Sequence, residues 1–245
     1  MTLAAVCTVA NDSDVISWSV RHLLAEGVDA VWLAVGASYD GTEEVAKLLA
    51  ETEPRVHVVP DPLDFHDQPY WTGHLGGLAH CDWILPFDAD EFMCPADRGS
   101  LAQTFASLPT EVNRVDMPRF LHHSWDRREV GLKSMWKVAY RWNDEARVGP
   151  GNHWMVAEGP GRPVFDAVRV REIPFRSFDQ FTRKVDDRTR TIDPSFPFAY
   201  GAWHRRMARE AERTRRLAWD RFSARRTIFD PIPSHLRPPS GILGA

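Results

Sequence analysis

Apolar positions along the first ninety residues follow a repeating rhythm. Residues 3–9 are rich in small and branched apolar side chains, the pattern of a buried strand. The polar group Asn11-Asp12-Ser13 follows and offers three side chains able to cap a helix. Val15, Ile16, Val20, Leu23 and Leu24 then recur at helical spacing, with Gly27 as the stop. Residues 30–35 read as a second strand. A loop over 36–42 follows, then a second helix to about residue 50 and a third strand over 55–59. This alternation predicts a parallel sheet with right-handed crossovers. A polar and aromatic stretch over 62–72 and a short helix over 73–80 lead into a fourth strand.

That fourth strand carries the chain's most informative stretch, Asp82-Trp83-Ile84-Leu85-Pro86-Phe87-Asp88-Ala89-Asp90-Glu91-Phe92. An apolar run of strand length ends in three acids within four residues. Open α/β sheets bind ligands beyond the C-terminal ends of their strands. If the backbone stays extended, Asp88 and Asp90 project to one side. Carboxylates that close repel unless a cation lies between them. Oxygen ligands with no cysteine nearby suit Mg²⁺ or Mn²⁺, usually together with substrate phosphates. The strand exits at Asn11, at 38–40 and at 88–91 are expected to share one edge.

The pattern loosens after residue 95. A helix is expected over 101–108, strands over 112–120, 133–142 and 164–170, a helix over 177–185 and a long helix over 203–222. Four prolines after residue 230 exclude regular structure there. Three parts follow: 1–95, 96–200 as a second half of the same domain, and 201–245 as a basic helix with a proline-rich tail.

Composition narrows the function classes. Apolar residues make up 43% and charged residues 26% of 245, ordinary for a globular chain with a sizeable core. A net charge of −4 leaves no global nucleic-acid footprint. Three scattered cysteines without a Cys-x-x-Cys pair indicate neither a disulfide frame nor a zinc ribbon, and a reducing cytoplasm is the simplest home. No apolar run is as long as a membrane span, and no signal peptide is expected. Between His204 and Arg226, nine arginines stand against three acids, so a solvated basic helix or contact with an anionic membrane surface is expected.

The same residues carry a resemblance. The stretch Asp82–Phe92, with its Asp-x-Asp-Glu-Phe, resembles the family 2-type glycosyltransferases of the GT-A fold, in a bacterial branch with that motif. The loop Ser38-x-Asp40-Gly41-Thr42, the opening strand with Asn11, and the helix with Trp18 and Gly27 are similar to the same branch. The likeness covers about residues 3–95. It continues thinly at Gly151-Asn152-His153 and from Arg176 to Lys184. It implies a GT-A-like (Rossmann-like), mostly parallel sheet flanked by helices, with a less regular α+β C-terminal part. It implies transfer of a sugar from a nucleotide-diphosphate donor to an unidentified acceptor, with inversion, helped by Mn²⁺ or Mg²⁺.

By position, the resemblance places Asn11, Ser38, Asp40, Gln68, Asp88 and Arg176 at the donor, and Asp88, Asp90 and His153 at the metal. No motif identifies the general base; Glu91, Asp126, Asp144 and Glu158 are candidates by region. The processive signature Gln-x-x-Arg-Trp is absent. A nucleotidyltransferase would need a glycine- and lysine-rich first loop, which Asn11-Asp12-Ser13 is not. A non-catalytic carbohydrate- or protein-binding module on a degenerate transferase scaffold is the other alternative. Trp71, Trp125 and Trp154 offer flat faces that could stack on a sugar or base. His122 and His123 are adjacent, so a strand would point them oppositely and they are not expected to share a metal.

Overall fold

The computed structural model describes residues 1–63, 67–131, 135–191, 206–230 and 232. In chain order these form β1 (Leu3–Val9), α1 (Ile16–Ala25), β2 (Ala30–Val35), α2 (Thr42–Thr52), β3 (Val56–Pro60), α3 (Gln68–Ala79), β4 (Trp83–Pro86), β5 (Glu91–Pro95) and α4 (Leu101–Ala106). Then come β6 (Val112–Met117), β7 (Arg119–Ser124), β8 (Arg127–Glu129), β9 (Lys137–Arg141), β10 (Arg147–Val148) and β11 (Met155–Ala157). The last are β12 (Arg162–Phe165), β13 (Val168–Glu172), α5 (Phe178–Thr191), α6 (Glu212–Ser223) and β14 (Thr227–Phe229).

The chain divides into two compact units. One comprises Met1–Pro62, Gln68–Phe120 and Gly131–Glu172; the other comprises Leu63–Asp67, Leu121–Val130 and Ile173–Ala245. The first is a mixed α/β unit around a seven-stranded sheet of order β12-β6-β9-β4-β1-β2-β3. β1 pairs in parallel with β2 and β4, β2 with β3, and β12 with β6. Only β9 runs against its neighbours β4 and β6. The C-terminal ends of β1, β2, β4, β6 and β12 therefore share one edge with the N-terminal end of β9. Right-handed crossovers then put α1 and α2 on one face of the sheet and α3 on the other. Both faces being covered, β1 and β4 read as continuous apolar runs and are buried almost throughout.

Local chemistry accounts for the boundaries and for several departures from expectation. Gly27 stops α1 at φ +84°, with Val28 N–H donating to Leu23 O, as a left-handed helix end requires. None of Asn11, Asp12 or Ser13 caps α1 through its side chain; Val15 occupies that position, and the carbonyl of Asp12 accepts from Val15 and Ile16. The helix expected over 73–80 starts earlier, at Gln68. Pro69 falls in its first turn, where no N–H is needed. Periodicity hides α3 because three of its residues are glycines. A Cβ on Gly76 would come within 2.6 Å of the Trp142 ring, so helix and indole meet through the missing side chain.

The strand expected over 112–120 is two strands, broken at Pro118, which has no N–H for the ladder. The strand expected over 164–170 is also two, β12 and β13, parted by Asp166 in the left-handed region at φ 57°. The strand expected over 133–142 is β9, shorter at both ends, with residues 132–134 outside the described set.

In the second unit, Phe181, Val185 and Met207 form a buried cluster, with Phe175, Phe178 and Trp219 packed on it. The helix expected over 203–222 is not continuous. Residues 203–205 lie outside the described set, residues 206–208 are helical, and α6 starts only after Ala211, which is extended. Arg215 explains the break: its guanidinium donates to the carbonyls of Met207 and Ala208 and pairs with Asp186 at 2.8 Å. Arg216 lies over the Phe178 ring and Arg225 pairs with Glu129. Several charges of the basic segment are thus spent within the protein. No helix of the described residues is long and apolar enough to cross a membrane.

Candidate functional site

The loops after β1 and β2 are fastened to each other by the residues the sequence singled out. Ser13 donates both its amide and its hydroxyl to Asp40 Oδ2, each at 3.0 Å. Thr42 donates its amide and hydroxyl to Asp40 Oδ1 at 3.0 and 2.6 Å. Asn11 stands at φ 57°, where its Oδ1 accepts from Tyr39 N–H at 3.0 Å and its own amide donates to Ser38 Oγ at 3.2 Å. Burial would raise the Asp40 carboxyl, but the hydrogen bonds from Thr42 and Ser13 outweigh it and hold the group below the usual carboxylate range.

That depressed value fixes the sign of a pH effect. Asp40's contribution is present above the unfolded aspartate value, near 4, and is lost as pH falls through the lower folded value. Asp40→Asn is expected to cost about 1–3 kcal/mol at pH 7, because an amide nitrogen would face the Ser13 donors. Its thermal melts should begin to approach the wild type's near pH 4 and converge only below the depressed folded value.

The acids after β4 do not continue the strand. Glu91 N–H donates to Asp88 O, and Asp88 N–H donates to Glu91 Oε2, both at 2.9 Å. The side chain of Glu91 thus closes a tight turn over Ala89 and Asp90. The extended geometry expected for Asp88 and Asp90 is replaced by this turn, which leads from β4 into β5, the strand that pairs antiparallel with β13. Asp90 is 4% exposed and Glu91 1%.

Two residues tie the turn to its surroundings. Lys137, at the start of β9 and wholly buried, places Nζ 2.8 Å from Asp88 Oδ2 and 3.3 Å from Glu91 Oε1. Gln68, at the start of α3, donates Nε2–H to Asp88 Oδ1 at 2.7 Å and accepts Gly151 N–H at 2.9 Å. Burial pushes the Glu91 carboxyl up to about 8 against the pull of Lys137. Burial works against the lysine's charge too, yet Asp88 and Glu91 hold its proton more tightly than usual.

The loop carrying His153 comes to the same place. Gly151 (φ 76°) leaves room for the imidazole: a Cβ there would meet the ring. Asn152 accepts from the Thr72 hydroxyl at 3.1 Å. His153 Nδ1 lies 2.8 Å from the carbonyl of Trp136, which can only accept, so Nδ1 carries the hydrogen. The Nε2 lone pair then faces Arg119 Nη1 at 3.4 Å. Burial, with the charges of Lys137 and Arg119, drives the imidazole down to about 4, so it is neutral at pH 7. A neutral ring whose far nitrogen is pinned by a carbonyl is the arrangement metal-binding histidines use.

Among the described residues, no group of three or more His, Cys, Asp and Glu could hold a metal ion by itself. Asp88, Asp90 and His153 are no such cage: Asp88 is held by Lys137 and Gln68, and His153 faces Arg119. The carboxylates of Asp88 and Asp90 are oxygen donors of the kind that hold Mg²⁺ or Mn²⁺ together with phosphate oxygens and water. The charges agree. With Glu91 pushed towards its neutral form, Asp88, Asp90 and Glu172 still outnumber the buried cations Arg119 and Lys137.

The remaining predicted residues take these positions. Arg176 belongs to the second unit, where its guanidinium donates to Ile173 O. Asp126 is in that unit as well. Glu158 pairs with Arg114 at 2.7 Å, and the carbonyl of Asp144 accepts from Arg147. Glu91 is committed to its own turn. Sequence reasoning missed Lys137 and Arg119, which sit on strands with no motif. It also missed Asp116, at the acid-bearing end of β6, whose carboxyl is raised by burial against the pull of Arg114.

No family model and no curated protein matches the chain. Several solved structures are similar to it in fold. TarS of S. aureus in complex with UDP is 10% identical over 82% of this chain and 68% of that one, with a TM-score of 0.49. The mannosyltransferase PcManGT of Pyrobaculum calidifontis, in complex with GDP-Man and Mn²⁺, is 14% identical over 84% of this chain and 68% of that one, with a TM-score of 0.45. Glucosyl-3-phosphoglycerate synthase of Mycobacterium tuberculosis, in complex with Mn²⁺, UDP and phosphoglyceric acid, is 14% identical over 49% of this chain, with a TM-score of 0.37. The chain spans 43% of that synthase's length.

Proposed function

We propose that the chain is a metal-dependent glycosyltransferase that moves a sugar from a nucleotide-diphosphate donor to an acceptor. The observation that carries the reading is the junction at Asp88: an acidic turn at the exit of β4, joined through Gln68 to the Gly151–His153 loop and through Lys137 to β9. The Asp-x-Asp-Glu-Phe stretch and the Ser-x-Asp-Gly-Thr-like loop, each at a strand exit on one edge, support it from the sequence.

On this reading the two fastened loops after β1 and β2 line the nucleoside side of the edge, with Asn11, Ser38 and Asp40 fixing their shape. Asp90 and His153 Nε2 would hold Mn²⁺ or Mg²⁺, with Asp88 beside them. When bound, the ion would neutralise charge building on the departing diphosphate. Arg119 adds fixed positive charge close by, and burial of the turn keeps the local dielectric low, so each charge acts more strongly than in water. Asp116, at the same edge and raised in pKa, joins the candidates for the base that takes the acceptor's proton. A non-catalytic module would retain the buried turn without turnover.

The experiment is a thermal-shift screen of nucleotide diphosphates and nucleotide sugars with and without Mn²⁺. A fitting nucleotide at a hundred times its Kd should add about 2.7 kcal/mol, which for a chain of this size raises Tm by about 5–10 °C. The shift should need the metal. No shift with any nucleotide would end the reading, and binding without sugar release to water or acceptor would favour the non-catalytic module.

A further inference from the structure

Lys137 is the most deeply buried charge at the acid-bearing edge, and the proposed reaction gives it nothing to do. Its side chain is 0% exposed, and its Nζ reaches Asp88 at 2.8 Å and Glu91 at 3.3 Å. The other oxygen of Asp88 accepts from Gln68 at 2.7 Å. Both oxygens of Asp88 therefore have a proton donor in place before a ligand arrives. Burying an ammonium ion is costly and is repaid only with such partners. An ammonium kept wholly buried at the start of β9 calls for a use.

We propose that Lys137 is a resident counter-ion that makes binding of the divalent metal depend on the nucleotide diphosphate. This rests on reading the edge as the donor site. A bare Mn²⁺ approaching the turn meets an ammonium already paired with Asp88, and Arg119 within reach of the same acids. Repulsion from these two cations weakens binding of the metal alone. A diphosphate brings several negative charges of its own and reverses that balance. Asp90 would then hold the metal with the phosphates present, while Lys137 keeps its place beside Asp88. Lys137 touches no reacting atom; it is a positioning residue that couples two ligands, and the coupling is reciprocal.

The test is titration of Mn²⁺ into the full chain, read by the EPR signal of free Mn²⁺, alone and with UDP or GDP. The wild type should bind Mn²⁺ weakly by itself and at least tenfold more tightly with the accepted nucleotide. Lys137→Met removes the charge at similar length. It should bind Mn²⁺ alone about tenfold more tightly or better, and the nucleotide's effect should shrink. Lys137→Arg should keep the wild-type dependence. A lysine that only supported the fold would give the opposite sign, with weaker metal binding in Lys137→Met. Equal or weaker Mn²⁺ affinity in a folded Lys137→Met protein overturns the inference. Should that variant not fold, the double variant Lys137→Met with Glu91→Gln removes the ammonium together with the buried carboxyl it faces, and the same tightening is expected. A wild type that binds neither Mn²⁺ nor any nucleotide refutes the donor-site reading itself. Normal wild-type binding with unaltered variants refutes only the role of Lys137.

Discussion

Asp90→Asn is expected to lower sugar transfer, or donor hydrolysis, by at least about a hundredfold, and to abolish the Mn²⁺-dependent part of nucleotide binding. The side chain is 4% exposed within a turn whose shape comes from Asp88 and Glu91, so the substitution removes charge and leaves the backbone alone. An asparagine keeps one oxygen for a ligand but cannot neutralise a divalent ion. Single-turnover measurements with saturating nucleotide sugar separate the two effects: loss of rate at unchanged melting temperature of the free protein marks a chemical role. A variant with wild-type rates would remove Asp90 from the account.

The second large effect is on stability. Trp83→Ala is expected to cost about 3–5 kcal/mol and to lower Tm by about 6–20 °C. Trp83 opens β4 with no exposed surface, lies edge-on to Phe105 at 5.0 Å, and carries the Arg141 guanidinium 4.8 Å from its ring centre. Truncation leaves a large cavity and strips both partners of their contact. β4 delivers the acidic turn to its edge, so nucleotide binding should weaken along with the melt. Urea unfolding gives the value directly, and a loss under 1 kcal/mol would show that the indole is not part of the packing.

The first three strands, α1 and α2 were legible because each buries one clear period of apolar residues and ends at a polar or glycine stop. The convergence of the loops after Val9, Val35 and Pro86 on one edge followed from the parallel order alone. α3 was misplaced because a glycine-rich helix packed on Trp142 shows no amphipathic stripe. The breaks at Pro118 and Asp166 fall inside strand-like mixtures of apolar and polar residues, where the pattern outweighs a single residue. At the site, Asp88, Asp90 and Gln68 were visible because the acids interrupt a strand and the resemblance reaches them. Lys137, Arg119 and Glu172 were not. Each comes from a strand distant in sequence, and only antiparallel β9 in an otherwise parallel sheet brings the lysine to the acids.

The central claim is that the turn after β4 holds a metal-bridged diphosphate. Its most direct measurement is anomalous scattering at the manganese edge from crystals grown with Mn²⁺ and UDP or GDP. The account predicts one strong peak within bonding distance of an Asp90 oxygen and of the nucleotide's phosphates, with Lys137 still paired to Asp88. A nucleotide bound at that edge with no peak beside Asp90, or a peak on acids elsewhere in the chain, would contradict it.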